Sequence, residues 1–257
     1  NRNNRLRIKA GYERQDDQYY DLQRGYITGF VRHRLSDHWT VTPFYTLETN
    51  RPDHMAQQIP NVEWSREKSA DYLTSALKLA ADRIGVYDEL DPRQGTVFAG
   101  SIEMASAGLG SEIDYFQPEL EARAYLPIAK NLTLAARVQL RTIQETEDTD
   151  HIPLFLRLFL GGSKTVRGYG YQQLNIYDKN DQLIAIGGKS SFCSNLELRF
   201  PVYEKLTGVV FFDMGLLDTD AFSWQPDQLR YTCGIGARIN TVIGPVQLDL
   251  GYKLNPP

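Results

Sequence analysis

The sequence predicts an all-β protein whose strands form a transmembrane antiparallel β-barrel. Three observations support this prediction. Apolar and polar residues alternate with a period of two along about eleven segments, many of these segments are long enough to cross a bilayer as tilted strands, and short connections alternate with long ones.

The alternation is clearest at 245–255. One face of this segment carries Val246, Leu248, Leu250, Tyr252 and Leu254, and the other carries Gln247, Asp249, Gly251 and Lys253. The same period appears at 131–144 and at 188–202. Such a pattern predicts strands with one apolar and one polar face.

Strand length favours a membrane barrel. Many of the segments reach the roughly 9–11 residues that a tilted transmembrane strand requires, whereas strands of soluble proteins commonly stop at about 5–6 residues. The expected strands lie near 5–14, 24–35, 38–49, 70–84, 94–106, 115–128, 131–144, 188–202, 207–217, 229–241 and 245–255.

The connections between these segments alternate in length. Short connections are expected at 36–38, 129–131 and 243–244, and long polar loops at 50–69, 145–187 and 218–228. Short turns at one end and long loops at the other are typical of outer-membrane barrels. A water-soluble β-sandwich also shows one apolar face per strand, so the pattern alone leaves that alternative open.

Composition and motifs exclude several function classes. No stretch approaches the roughly 18 consecutive apolar residues of a transmembrane helix. The net charge is -4, and no Lys/Arg cluster indicates a nucleic-acid partner. The four histidines lack metal-ligand spacing, and neither a nucleophile elbow nor a phosphate-binding loop occurs. We therefore expect no enzymatic chemistry, no metal and no cofactor.

The two cysteines are expected to remain unbridged. Cys193 belongs to the polar face of its strand and Cys233 to the apolar face of another. A further strand separates the two segments, so the thiols are beyond the reach of a disulfide.

One glycine-rich loop, "GGSKTVRGYG" at 161–170, contains an arginine that suggests a specific contact. Glu197 and Asp213 point to the inner face of neighbouring strands, and the turn between these strands allows a register that sets the two carboxylates directly opposite each other. They would repel unless a guanidinium lay between them. Arg167 is one candidate, and Arg199, on the same face as Glu197, is the alternative.

Five stretches together resemble one family: "DPRQGT" at 91–96, "GGSKTVRGYGYQQL" at 161–174, "NLELRFPV" at 195–202, "GVVFFDMGLL" at 208–217 and "GIGARINTVIGPVQLDLGYKLN" at 234–255. The chain resembles the BamA/TamA superfamily of outer-membrane insertases and translocators, a bacterial surface antigen barrel, and looks closer to TamA-like members.

This resemblance implies a barrel of about sixteen antiparallel strands, with a long extracellular loop folded into the lumen. Residues 1–257 would be a partial C-terminal barrel domain, with the POTRA domains, the first strands and the last strand outside this chain. The resemblance also implies a loop tip at Val166, Arg167, Gly168 and Tyr169. Its arginine would latch the loop to the wall residues Glu197, Asp213 and Phe211.

The implied activity is insertion of client β-barrel proteins or autotransporters into the bacterial outer membrane, without a cofactor. A BamA-type central insertase and a two-partner secretion transporter are alternatives within the family. The implied partners are the lipid bilayer, unfolded outer-membrane protein clients and a TamB-like periplasmic protein, with no nucleic acid.

A passive outer-membrane pore is the alternative from another class. A hydrated lumen would suit the charged residues expected to face inward, which are Glu119, Glu121, Arg123, Arg137, Arg141, Arg238 and Lys253.

Overall fold

The structure, a computed structural model, describes residues 4–16, 19–53, 71–146, 149–177, 183–203, 206–241 and 244–256. The connections expected at 50–69 and 243–244 lie wholly or partly outside these ranges. Within these ranges, no helix combines the length and the apolar composition needed to span a bilayer.

The long strands form one large antiparallel meander in which each long strand pairs with the next long strand along the chain. Every one of the expected segments coincides with a long strand, so the predicted strand pattern is confirmed. The long strands are β1 (Asn4–Asp16), β2 (Asp21–Arg34), β3 (Trp39–Asp53), β4 (Tyr72–Val86), β5 (Gly95–Ala105), β6 (Tyr115–Ala129), β7 (Leu132–Thr142), β11 (Ser190–Tyr203), β12 (Leu206–Asp218), β13 (Arg230–Thr241) and β14 (Gly244–Lys253).

Three short strands lie in the segment between β7 and β11. β8 (Gln144–Glu145) pairs with β6, whereas β9 (Ile176–Tyr177) and β10 (Leu183–Ala185) pair with each other. Because β7 pairs directly with β11, residues 143–189 connect these two strands, and β8 near the start of this connection pairs with the wall strand β6. We call this segment the lumenal loop.

The outward face of the sheet is apolar and uncovered. Ile8 is 71% exposed and Leu248 78%, and both belong to rows of apolar residues along their strands. In water such rows would be a large unfavourable apolar surface. In a bilayer they are the surface that contacts hydrocarbon, since lipid-facing and lumen-facing residues alternate along each barrel strand.

The lumenal loop packs an apolar core against the inner face of the wall, and this core contradicts the expectation that 145–187 is a polar loop. Its sequence contains "LFLRLFL" at 154–160, and bridges join Leu158 to Gly188 and Leu160 to Leu174. The core combines loop residues Ile143, Ile152, Leu158, Leu160, Val166, Tyr169, Leu174 and Ile176 with wall residues Ala76, Ala105, Tyr115, Cys193 and Leu217. Burial of these side chains holds the loop inside the barrel.

Candidate functional site: the loop tip and the inner wall

The tip of the lumenal loop folds back on itself at three glycines. Gly161, Gly162 and Gly168 have φ angles of +110°, +93° and +95°, a region that side chains with a Cβ rarely adopt. The Gly162 amide donates to the Tyr169 carbonyl at 3.0 Å. This turn places Val166 and Arg167 against the wall.

Arg167 and Asp213 are joined by three hydrogen bonds. The guanidinium donates from Nε to Oδ2 at 2.8 Å and from Nη2 to Oδ1 at 2.7 Å, and the Arg167 backbone amide donates to Oδ2 at 3.0 Å. The Asn195 amide donates to the same carboxylate at 2.8 Å. Asp213 is 0% exposed and Arg167 5%, so the pair is almost wholly removed from solvent.

Glu197 lies against three guanidinium groups. Arg167 donates from Nη1 at 2.7 Å, Arg199 donates from Nε at 2.9 Å, and Arg238 of β13 donates from both terminal nitrogens at 2.8 and 2.7 Å. The carboxylate of Asp249 on β14 lies 3.4 Å from Arg167 Nη1. The formal charges of the three arginines therefore match those of Glu197, Asp213 and Asp249. A buried ion cluster needs this balance, because an unpaired buried charge is strongly destabilising.

The Arg167 guanidinium also stacks on an aromatic ring. Its Cζ lies 3.6 Å from the centroid of the Phe211 ring, which is 2% exposed. This is cation–π geometry, and its contribution grows when the pair is removed from water. Gly234 on β13 leaves room for the ring, since a Cβ there would collide with it. Glycine at this position therefore serves packing rather than a turn.

The prediction that Glu197 lies directly opposite Asp213 is wrong. In the β11–β12 pair, Glu197 faces Phe211, and Asp213 lies two residues further along the same face. An irregularity between Pro201 and Tyr203 shifts the register close to the turn. The two carboxylates are therefore diagonal neighbours, which weakens their repulsion and lets one guanidinium lie over Phe211 and reach both acids.

Arg199 and Arg167 act together rather than as alternatives. Both donate to Glu197, and Arg199 also reaches the Pro92 carbonyl at 3.5 Å. Only Arg167, among these two, contacts Asp213 in the described part of the chain.

The loop tip also contacts the wall through its backbone and its apolar side chains. A Cβ at Gly251 of β14 would lie 2.7 Å from the Gly168 nitrogen, so the two glycines allow the chains to touch. The Lys253 ammonium lies 4.2 Å from the centroid of the Tyr169 ring. Val166 is 0% exposed and packs where Gly215 of β12 has no side chain.

The environment shifts the ionisation of two loop residues. Burial acts to lower the pKa of Arg167, but its hydrogen bonds and charge interactions with Asp213 and Glu197 outweigh burial and raise that pKa above its usual value. Burial raises the pKa of the Tyr169 hydroxyl. Arg167 is therefore a permanent cation at this site.

Other inward-facing charges form pairs along the wall. Glu121 accepts hydrogen bonds from Arg123 and, at 2.8 Å, from Arg137.

Both cysteines are free, with Cys193 buried and Cys233 partly exposed. This confirms the prediction that the two cysteines remain unbridged.

Sequence reasoning missed three members of the site. Arg238 was expected only as a lumenal charge, and neither Asn195 nor Asp249 was expected to contact the loop or its partners. All three lie on the polar face of their strands, and this position was the sequence signal that could have identified them. Their contacts with Arg167 or its partners depend on strand register and on the path of the loop.

The fold and the site define a class of protein: a transmembrane β-barrel wall whose lumen contains a loop bound to the wall through an arginine. The chain belongs to the Omp85 superfamily, since the family model described as the Omp85 superfamily domain matches residues 1–257. It is therefore an outer-membrane β-barrel chain, and the soluble β-sandwich alternative is wrong.

One curated relative is the outer membrane protein assembly factor BamA of Nitratidesulfovibrio vulgaris, 28% identical over 195 residues. The match covers 74% of this chain and 24% of the relative. The chain thus spans about a quarter of that protein's length.

Two solved structures share the fold. BamA from Haemophilus ducreyi lacking POTRA domains 1–3 has a TM-score of 0.85 at 14% identity, with 99% of this chain and 56% of that chain covered. CdiB from Acinetobacter baumannii has a TM-score of 0.55 at 13% identity, with 99% and 48% covered.

Proposed function

We propose that this chain is the barrel part of a machine that assembles or translocates proteins at the outer membrane, and that Arg167 latches the lumenal loop to the barrel wall. The observation that carries the proposal is the shared binding of Arg167 by Asp213 and Glu197. The assembly-factor name of the relative from Nitratidesulfovibrio vulgaris supports the choice of activity.

The latch would make the loop part of the wall. Arg167 connects the loop to β11 and β12, and Asp249 adds β14. Ion pairs that are buried between the loop and the wall are screened less by water and salt than ion pairs on a protein surface. A loop held in this way would brace the strands around it while a client strand pairs elsewhere on the barrel.

The proposed substrates are unfolded outer-membrane proteins, including autotransporters, and the proposed setting is the lipid bilayer. The work is non-covalent, so the proposal needs neither a catalytic residue nor a cofactor. The TamA-like character of "VRGYGYQQL" at 166–174 leads us to propose a TamB-like periplasmic partner. Co-purification of such a partner with the full-length protein would distinguish a TamA-like from a BamA-like role.

The test compares full-length wild-type protein with Arg167→Ala in liposomes and measures the protease-resistant, folded fraction of a client barrel. We expect the variant to lose most of this activity. Arg34→Ala is the matched control, because Arg34 pairs with Asp37 at the β2–β3 turn and lies outside the site. Equal client folding by all three proteins would overturn the proposal.

Single-channel conductance of the same samples tests the pore alternative. A loop-filled lumen should conduct little until Arg167 is removed. A large, steady wild-type conductance that Arg167→Ala leaves unchanged would instead identify a passive pore.

A further inference from the structure

A second candidate site lies in a cavity beside the loop tip. A chamber of about 530 Å³ opens between the inner face of β7 and the lumenal loop. Its walls include four basic side chains, Arg137, Arg141, Arg157 and Lys164, and no aspartate or glutamate of the described residues. We call it the lumenal chamber.

Among the described residues, basic side chains outnumber acidic ones in the walls of the lumenal chamber. Arg137 is paired with Glu121 at 2.8 Å. Glu119 faces Arg141 directly in the β6–β7 pair but accepts the Gln139 amide at 2.7 Å instead. In the parts of the chain that the structure describes, no carboxylate oxygen forms an ion pair with Arg141.

One hydrogen-bond donor of Arg141, the Nε atom, has no acceptor among the described residues. Its Nη2 donates to the Phe159 carbonyl at 3.0 Å, but its Nε is buried without an acceptor among the described residues. A guanidinium stays charged in a protein, and a buried polar group without a partner is costly enough to require an explanation. An oxyanion in the lumenal chamber would add a counter-charge beside this guanidinium.

Lys164 adds a second cation at the rim of the chamber. The Arg137 guanidinium holds its backbone carbonyl at 2.7 Å, so the position of this residue is fixed. Its side chain is exposed, and its ammonium has no ion-pair partner among the described residues. Arg141 and Lys164 thus offer a forked donor and a point charge, the combination that binds carboxylate and phosphate groups.

We propose that the lumenal chamber is a binding site for an oxyanion, held by Arg141 and Lys164. Two sources share this chemistry: the carboxylates of an acidic polypeptide segment and inorganic or esterified phosphate. In the described part of the chain, neither Arg141 nor Lys164 forms a hydrogen bond with Arg167. The proposal does not depend on the assembly role, so either proposal can fail alone.

The test is calorimetric titration of the full-length protein in detergent micelles with inorganic phosphate and, separately, with hexaglutamate; hexalysine serves as the negative ligand. We expect Arg141→Gln to weaken anion binding about tenfold, since it removes charge-assisted hydrogen bonds. Lys164→Gln should weaken binding about two- to fivefold, as for an exposed pair. Added salt should weaken binding in the wild type.

Lys130→Gln, in the β6–β7 turn, is the matched control and should leave affinity unchanged. Lys164→Gln keeps the test decisive if Arg141→Gln fails to fold, because Lys164 is exposed. Binding of hexaglutamate alone would assign the site to polypeptide carboxylates, and binding of phosphate alone to phosphate groups. Absence of binding by both anions, or equal affinities in Lys164→Gln and Lys130→Gln, would overturn the proposal.

Discussion

Arg167 and Asp213 meet through three hydrogen bonds that fix both the side chain and the backbone of the loop tip. Two come from the guanidinium and one from the Arg167 amide, at 2.7 to 3.0 Å. The third bond is the informative one, because it ties the loop's main chain to β12 and not only a long side chain. A surface ion pair would lack this constraint.

Replacing Arg167 with lysine tests whether charge alone is enough. Lysine keeps the positive charge but has one nitrogen, so it cannot donate in parallel to Asp213 and also reach Glu197. We expect faster amide hydrogen exchange across 161–175 in Arg167→Lys than in the wild type. Exchange at the wild-type rate would show that a point charge holds the loop.

Removing either acid tests whether the cluster is a unit. Asp213→Asn should destabilise the protein by about 3–5 kcal/mol, because it leaves a buried guanidinium without its main partner. Glu197→Gln should also destabilise the fold, since three arginines lose a shared counter-charge. Urea unfolding gives these free energies.

A double-mutant cycle with Arg167→Ala adds the decisive comparison. Residues in direct contact usually show coupling of about 0.5–3 kcal/mol, so the cost of Asp213→Asn should shrink once Arg167 is gone. Strictly additive costs would mean that Arg167 and Asp213 act independently.

The glycine pair at the loop tip can be tested without altering any charge. In Gly251→Ala the new methyl would lie 2.7 Å from the Gly168 nitrogen and 2.9 Å from the Arg167 carbonyl carbon, so the tip must move away from β14. We expect faster exchange at 163–169 and reduced client folding. Gly29→Ala on β2 is the matched control, since no atom lies within 4 Å of a Cβ placed there.

Phe211→Leu tests the ring beneath the guanidinium. The substitution keeps an apolar side chain but removes the cation–π contact, which is worth about 0.5–2 kcal/mol. Loop amides should exchange faster in Phe211→Leu. Phe212→Leu changes the neighbouring residue on the outward face, where the ring stacks on Tyr231, and should leave loop exchange unchanged. Equal effects of the two substitutions would contradict a role for the stacked ring.

The strands could be predicted closely because their determinants are local. The expected segment 207–217 became Leu206–Asp218, and 115–128 became Tyr115–Ala129. A period of two decides which side chains share a face whatever the rest of the chain does. For the same reason Glu197 and Asp213 were correctly placed on one face.

The interior of the lumenal loop was harder to predict. Its segment "LFLRLFL" at 154–160 lacks the period of two of a strand and lies within the long connection 145–187, so the sequence predicts a polar loop there. In the structure, Leu154, Leu158 and Leu160 are each 3% exposed or less. Their burial arises from contact with the wall, which local pattern does not encode.

The sequence by itself determined which residues share the apolar and polar rows of each strand, the lengths of the strands and the presence of an arginine in a glycine-rich loop. Tertiary structure alone decided the register that places Phe211 opposite Glu197, the joint use of Arg199 and Arg238, and the approach of Gly168 to Gly251. The physical reason is distance along the chain. The contacts of Arg167 join residues 30, 46 and 82 positions apart, and such contacts exist only after strand pairing and loop packing have fixed where each side chain lies.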